Sequence, residues 1–246
     1  MTAPVFVVEH FDAGSGGRYV LDGPEGRHAV SVKRLRPGED LVLTDGAGRW
    51  ADCVVLDTEG KDRLIVRLDS VAEQPQAEPR ITIVQALPKG DRGELAVETM
   101  TEVGVDAIVP WAASRCITQW KGDRGLKALA KWRATAREAG KQSRRVRFPD
   151  VADAATSKQV AALLAKADFA AVLHESGAEP LAGVELPAQG EIVLVVGPEG
   201  GVSPEELTLF AEAGAQAYRL GPSVLRTSTA GTAAAALLLG RTGRWS

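Results

Sequence analysis

Cysteine is scarce in this chain of 246 residues: Cys53 and Cys116 stand alone, with no C-x-x-C spacing. That excludes a disulfide framework, argues against structural zinc or any other metal site, and favours a reducing compartment. Long apolar runs are also missing. The longest, Ala233 to Leu239, is seven residues, whereas a membrane span needs about 20. No basic segment followed by an apolar core opens the sequence, so no secretion signal is expected and the chain reads as cytoplasmic, with no membrane partner. Two familiar phosphate-binding signatures are absent as well. Neither G-x-x-x-x-G-K nor G-x-G-x-x-G occurs where a strand meets a helix, which excludes a phosphate loop and a dinucleotide fold of the usual kind. An apolar content of 45% and a charged content of 25% are those of an ordinary globular protein.

What is present is concentrated near the end. Ile192 to Val196 is a run of five apolar β-formers, as expected of a strand covered on both faces. Gly197-Pro198-Glu199-Gly200-Gly201 follows, then Ser203-Pro204-Glu205-Glu206, which has the N-cap serine, first-turn proline and acids of a helix start. About twenty residues on the pattern repeats. A strand ending at Leu220 leads into Gly221-Pro222-Ser223-Val224-Leu225-Arg226-Thr227-Ser228 and a helix of small residues. One glycine turn is unremarkable; two in succession, each leaving a buried strand, suggest a ligand brought close to the main chain.

Earlier in the chain, residues 1–72 read as short strands separated by Gly/Asp turns, with a single helix from Glu25 to Leu35 stopped by Pro37-Gly38. A small β-barrel is the natural architecture. Residues 73–79 hold two prolines and few apolar groups, and make a linker. From Arg80 strands alternate with helices at about 91–103, 124–143, 156–167, 203–214 and 227–240, which implies a parallel sheet covered by helices. Ligands in such sheets lie at the carboxyl ends of the strands, where the loops His174-Glu175-Ser176-Gly177, Gly197 to Gly201 and Gly221 to Leu225 would converge.

Charge is unevenly spread. Between Arg115 and Arg147 eleven basic residues face only Asp123 and Glu138, a local +9 that leaves −12 for the rest of a chain whose net charge is −3. A basic stripe on an acidic protein suits a polyanion. Arg133, Arg137, Lys141 and Arg144 are spaced to share one helix face that reaches phosphates.

The strings VVGPEGG and LGPSVLRTSTA, followed by the small-residue helix, resemble the C-terminal motifs of SPOUT-class methyltransferases, and most closely those of the ribosomal RNA small-subunit methyltransferase E family. Lys89-Gly90-Asp91, Glu102-Val103-Gly104-Val105, Ser114-Arg115-Cys116 and Glu138 to Arg145 resemble further segments of that family, and His28 to Gly38 resembles its N-terminal stretch. The resemblance implies a PUA-like RNA-binding barrel over 1–72 and a trefoil-knotted SPOUT domain over 80–246 that dimerises through the knot. It also implies S-adenosyl-L-methionine as cofactor and methylation of N3 of a uridine in 16S rRNA, within the small ribosomal subunit. Carried onto this chain, the cofactor would be held by Leu173, His174, Glu175, Gly197, Glu199, Gly201, Leu220, Gly221, Pro222, Ser223, Val224, Leu225 and Thr227. RNA would be held by His28, Arg34, Lys89, Arg115, Arg133, Arg137, Gln142 and Arg145. Arg226 matches the family's L-R-T and is the candidate for charge stabilisation.

Four departures stand out. Ser228 replaces a glutamate and Ser223 an arginine, which rules out a carboxylate base at 228 and leaves Glu199 as the nearest candidate for a catalytic carboxylate. Lys141 replaces a glutamate and Arg144 a glycine. Two other functions fit parts of the pattern: a SPOUT ribose 2′-O-methyltransferase on tRNA or rRNA, and a non-catalytic RNA-binding assembly factor. An adenine-nucleotide-binding module lacks the lysine that would cradle phosphate.

Overall fold

The computed structural model describes residues 3–10 and 13–245. They form two compact units. The first comprises the described residues up to Gln76 together with Gly140–Phe148, and the second Ala77–Ala139 with the described residues from Pro149 onward.

In the first unit the strands are β1 (Val5–Val7), β2 (Arg18–Leu21), β3 (Asp40–Thr44), β4 (Arg49–Glu59) and β5 (Arg63–Glu73). They pair in the order β1-β3-β4-β5-β2, antiparallel except for β1 with β3. Alternation along the strands places Leu41, Leu43, Ala51, Cys53, Val55, Leu64, Val66 and Leu68 on one buried face around Phe6, as a period of two requires. Register shifts at Asp52/Cys53 and Val55/Asp57 add local twist to the long β4–β5 pair. In the turn between β3 and β4, Asp45 Oδ1 accepts the amides of Ala47 and Arg49 at 2.7 and 3.0 Å.

The single helix expected over Glu25 to Leu35 is two pieces. Helix α1 (Gly23–Arg27) widens into a π-helical turn, His28–Val32. The Lys33 amide reaches back to the His28 carbonyl at 2.8 Å and the Leu35 amide to that of Ala29 at 3.1 Å. Arg34 between them takes φ +56°, the left-handed residue that closes a helix end. Apolar periodicity over so short a span does not separate an α from a π turn.

Gly140–Phe148 is bound into this unit by several bonds. Lys141 Nζ lies 2.8 Å from Glu25 Oε1, with Lys141 buried and Glu25 half-buried. The Thr44 hydroxyl donates to the Val146 carbonyl at 2.7 Å, Arg147 Nη2 to the Gln74 carbonyl at 2.8 Å, and the Phe148 amide to the Gly46 carbonyl at 2.8 Å. Arg144 has φ +59°, which explains why the resembling family carries glycine there. The expected phosphate-reaching face is therefore corrected at two positions: Lys141 is an internal ion-pair partner, and Arg144 lies beyond the helix end.

The second unit is a seven-stranded, wholly parallel sheet. Its elements are β6 (Arg80–Ala86), α2 (Arg92–Val103), β7 (Ala107–Trp111), α3 (Gly122–Gln142), β8 (Asp150–Val151), α4 (Ser157–Leu164), β9 (Phe169–Leu173), β10 (Glu179–Pro180), β11 (Glu191–Val196), α5 (Pro204–Glu212), β12 (Gln216–Arg219) and α6 (Thr227–Arg241). The order is β10-β12-β9-β11-β6-β7-β8, so β11 enters the sheet between β9 and β6, both earlier in the chain. Buried Ile81, Ile83, Val84 and the run Ile192 to Val196 form its centre. Gly231 on α6 lets that helix lie close to α2, since a Cβ there would stand 2.8 Å from Met100 Sδ. Arg244 closes the end of the fold, pairing with buried Asp106 and reaching the carbonyls of Pro79 and Gly104.

Candidate active site

At the carboxyl ends of β9, β11 and β12 the chain leaves the sheet in three loops that wall one cavity of about 700 Å³, within the usual range for small-ligand sites. Its walls are 173–175, 196–202 and 219–227, completed by Ala230, Arg92 and Arg115. Every cofactor position expected from the sequence lines this cavity, and so does Arg226.

The loops are held by identifiable bonds. The Thr227 hydroxyl donates to the Gly197 carbonyl at 2.7 Å, tying the start of α6 to the first glycine turn. Gly201 takes φ +73°, which a side-chain-bearing residue adopts only at a cost. Glu199 Oε1 accepts the Lys89 amide at 3.1 Å, which fastens the loop after β6 to the loop after β11. Arg115 Nη1 donates to the Gly200 carbonyl at 3.2 Å. His174 Nδ1 accepts the Ser176 amide at 3.2 Å and lies 2.7 Å from its hydroxyl; in the neutral ring this puts the proton on Nε2. Val224 and Leu225 are exposed large apolar residues of the last loop.

Glu206 organises the frame next to the cavity, through Ser114 and Ser203, the chain neighbours of the lining residues Arg115 and Val202. Its carboxylate, only 4% exposed, accepts the amides of Ser114 and Ser203 at 2.8 and 3.2 Å and the hydroxyls of Ser114 and Ser157 at 3.0 and 2.8 Å. Burial pushes its pKa up, but these hydrogen bonds outweigh it and hold the group below its ordinary value. The same residue completes a reciprocal cap with Ser203 at the start of α5. Burial raises the pKa of the nearby Cys116 thiol, which disfavours its thiolate form.

The two serine departures fall in different surroundings. Ser223 lies on the exposed rim, whereas Ser228 is 1% exposed and its hydroxyl has no hydrogen-bond partner among the described residues. Gln85, also buried, sends its amide nitrogen to the carbonyls of Ala86 and Thr227 at 3.1 and 3.3 Å. A glutamate at 228 would bury a carboxylate here; the serine keeps these buried surroundings neutral.

The expected RNA-binding residues are dispersed. In the first unit His28 is half-buried with its ring edge-on to Phe6, while Arg34 and Gln142 are exposed and Arg145 is half-buried. In the second unit Lys89, Arg115 and Arg137 are exposed, and Arg133 is engaged with the Val151 carbonyl and Asp153, each at 3.0 Å. Only Arg115 among these lines the cavity. Sequence reasoning passed over Arg92 and Arg219, which line it too. For Arg92 a signal was available: it is the first residue of a helix, where the dipole disfavours a cation.

With this geometry in place, the comparisons are specific. The RNA methyltransferase domain matches residues 75–239, and the RNA methyltransferase PUA domain residues 21–69. The whole chain is 45% identical to the ribosomal RNA small subunit methyltransferase E of Mycobacterium bovis, covering 94% of that protein. It is 28% identical to that of Bacillus subtilis over 86% of each chain. The crystal structure of ribosomal RNA small subunit methyltransferase E from Neisseria gonorrhoeae bound to S-adenosyl methionine matches with a TM-score of 0.85 at 31% identity, covering 98% of both chains. The fold is thus a SPOUT-type parallel sheet preceded by a PUA-like unit, and the chain belongs to the ribosomal RNA small subunit methyltransferase E family.

Proposed function

We propose that this protein transfers a methyl group from S-adenosyl-L-methionine to N3 of a uridine in 16S rRNA within the small ribosomal subunit. The observation that carries the reading is the cavity at the strand carboxyl ends, walled by two glycine loops and open to solvent at residues 221–226. The residues suit the cofactor. Leu173, Leu220, Val224 and Leu225 supply apolar walls for an adenine ring, the main chain of 220–225 supplies polar edges, and Gly221 has open space on its Cβ side.

When bound, S-adenosylmethionine supplies an electrophilic methyl group. The protein must orient the acceptor, remove a proton from a weakly acidic imide and hold the resulting charge. Proton removal by a positioned group contributes roughly 10²–10⁴-fold, with proximity adding to it. In this reading Arg226 stabilises the charge and Glu199 takes the proton; its Oε1 is occupied by the Lys89 amide and its second oxygen is used. In the same reading RNA is contacted by His28, Arg34, Gln142 and Arg145 of the first unit and by Lys89, Arg115, Arg133 and Arg137 of the second.

The same proposal includes a trefoil knot around the cofactor loops, a homodimer through that region and a cytoplasmic setting. The family supports these features, and the exposed apolar side chains of Val224 and Leu225 support an interface. Among the described residues no helix is long and apolar enough to cross a membrane. Titration calorimetry with S-adenosylmethionine and with ATP tests the cofactor: micromolar binding of the first alone is expected, and preference for ATP would overturn the reading. Arg226→Ala is expected to abolish turnover while the fold persists, and near-normal methylation by that variant would remove Arg226 from the chemistry.

A further inference from the structure

Most of the cavity lining, residues 173–175, 196–202 and 219–227, comes from the three loops assigned to the cofactor. Two arginines from elsewhere in the chain, Arg92 and Arg115 of the segments after β6 and β7, complete it. S-adenosylmethionine itself carries a net positive charge, so guanidinium groups here call for an anion from the other substrate.

The cavity arginines differ in how far they are already engaged. Arg115 donates to the Gly200 carbonyl and Arg219 to the Ala178 carbonyl, each at 3.2 Å. Arg226 is exposed on the cofactor loop. Arg92 is half-buried and its guanidinium has no hydrogen-bond or ion-pair partner among the described residues. Its backbone is nevertheless fixed. Gly93 lies directly under Trp132, whose ring atoms would stand 2.7 Å from a Cβ added there. Glu94 pairs with Lys131 at 3.0 Å, and the Lys89 amide is bound to Glu199 at 3.1 Å. A half-buried cation on an anchored backbone, its guanidinium left without a partner, is available to stabilise charge developing in a reaction.

We propose that Arg92 is a catalytic residue of the acceptor side, its guanidinium bonding a carbonyl oxygen of the target uracil and stabilising the imide anion formed as N3 loses its proton. This rests on the methyl-transfer reading above. The N3 proton passes to the carboxylate, the anion's charge spreads onto the adjacent carbonyl oxygens, and N3 then takes the methyl group as the sulfonium leaves as a neutral thioether. The cavity's other charged or titratable groups are His174, Glu175, Glu199, Arg115, Arg219 and Arg226, so Arg92 is one cation among four and its removal shifts the acceptor's acidity without inverting the field.

The test uses full-length protein, S-adenosylmethionine and small subunits lacking the modification, comparing wild type, Arg92→Ala and Arg92→Lys. Wild type must first label 3-methyluridine; if it does not, the methyl-transfer reading fails and the role of Arg92 falls with it. Given that label, Arg92→Ala is expected to lower kcat by roughly 10²–10³-fold, the usual loss for one preorganised donor. Cofactor affinity should stay within about twofold of wild type. A cation lowers the pKa of the imide beside it, so losing Arg92 should displace the rising limb of kcat against pH toward higher pH, with Arg92→Lys intermediate. A raised KM for the subunit with an unshifted profile would make Arg92 a phosphate contact and overturn the proposal, as would wild-type kinetics. Loss of cofactor binding by Arg92→Ala and Arg92→Lys alike, in variants that remain folded by circular dichroism, would make Arg92 a cofactor contact and overturn the proposal too.

Discussion

Removing the Glu206 carboxylate should damage both the fold and the cavity. Its two oxygens receive four hydrogen bonds from the Ser114, Ser157 and Ser203 segments, at 2.8 to 3.2 Å. In Glu206→Ala the two serine hydroxyls can rotate toward other acceptors, but the Ser114 and Ser203 amides are left without theirs. The buried Ser203 amide, whose bond to Glu206 is one half of the capping box, costs about 1–3 kcal/mol when unpaired, and the Ser114 amide, which belongs to an exposed residue and can regain water, costs about 1 kcal/mol. The expected destabilisation is therefore about 3 kcal/mol, read as a lower urea midpoint at an unchanged slope. Glu206→Gln keeps the shape and loses the charge, and should fall by about 1–3 kcal/mol. Because the folded pKa lies below the ordinary 4.5, the stability supplied by ionisation is complete above that value. It declines as the pH falls below it and is gone once the folded pKa has been passed. The gap between wild type and Glu206→Gln should accordingly be flat above about pH 6 and narrow on acidification. A loss under about 1 kcal/mol for Glu206→Ala, or a gap that ignores pH, would refute the reasoning.

Two further predictions concern the first unit. Lys141→Glu, which installs the family's residue, sets a second carboxylate against Glu25 in place of the 2.8 Å ion pair. It should destabilise that unit by about 3–5 kcal/mol, with partial recovery in Glu25→Lys/Lys141→Glu, as limited proteolysis across a temperature series would report. Arg144→Gly relieves a left-handed arginine at φ +59° but removes its bond to the Ala3 carbonyl. A net gain of about 0.5–1 kcal/mol is expected in urea unfolding.

Much of the second unit was legible because its strands are strongly apolar and its turns carry glycine. Phe169–Leu173 was read at its observed bounds, and Ile192 to Val196 to within one residue of Glu191–Val196. The two-residue strands Asp150–Val151 and Glu179–Pro180 have no periodicity to read; they exist because a neighbouring strand offers free backbone groups. Charge was the least legible property. Lys141 and Arg133 share a face on a helical wheel, yet one meets a half-buried Glu25 and the other a carbonyl and Asp153 at the surface. Only the tertiary partner separates them. Arg92 was not legible for the converse reason: its significance lies in having no partner among the described residues inside a cavity whose loops alone the sequence outlined.

The most direct test is to incubate the protein and tritiated S-adenosylmethionine with small ribosomal subunits lacking the modification, digest the RNA and identify the labelled nucleoside. The account predicts label in 3-methyluridine. Label in a 2′-O-methylated nucleoside would keep the fold and contradict the chemistry, and no label together with no cofactor binding would leave an RNA-binding factor with a vestigial pocket.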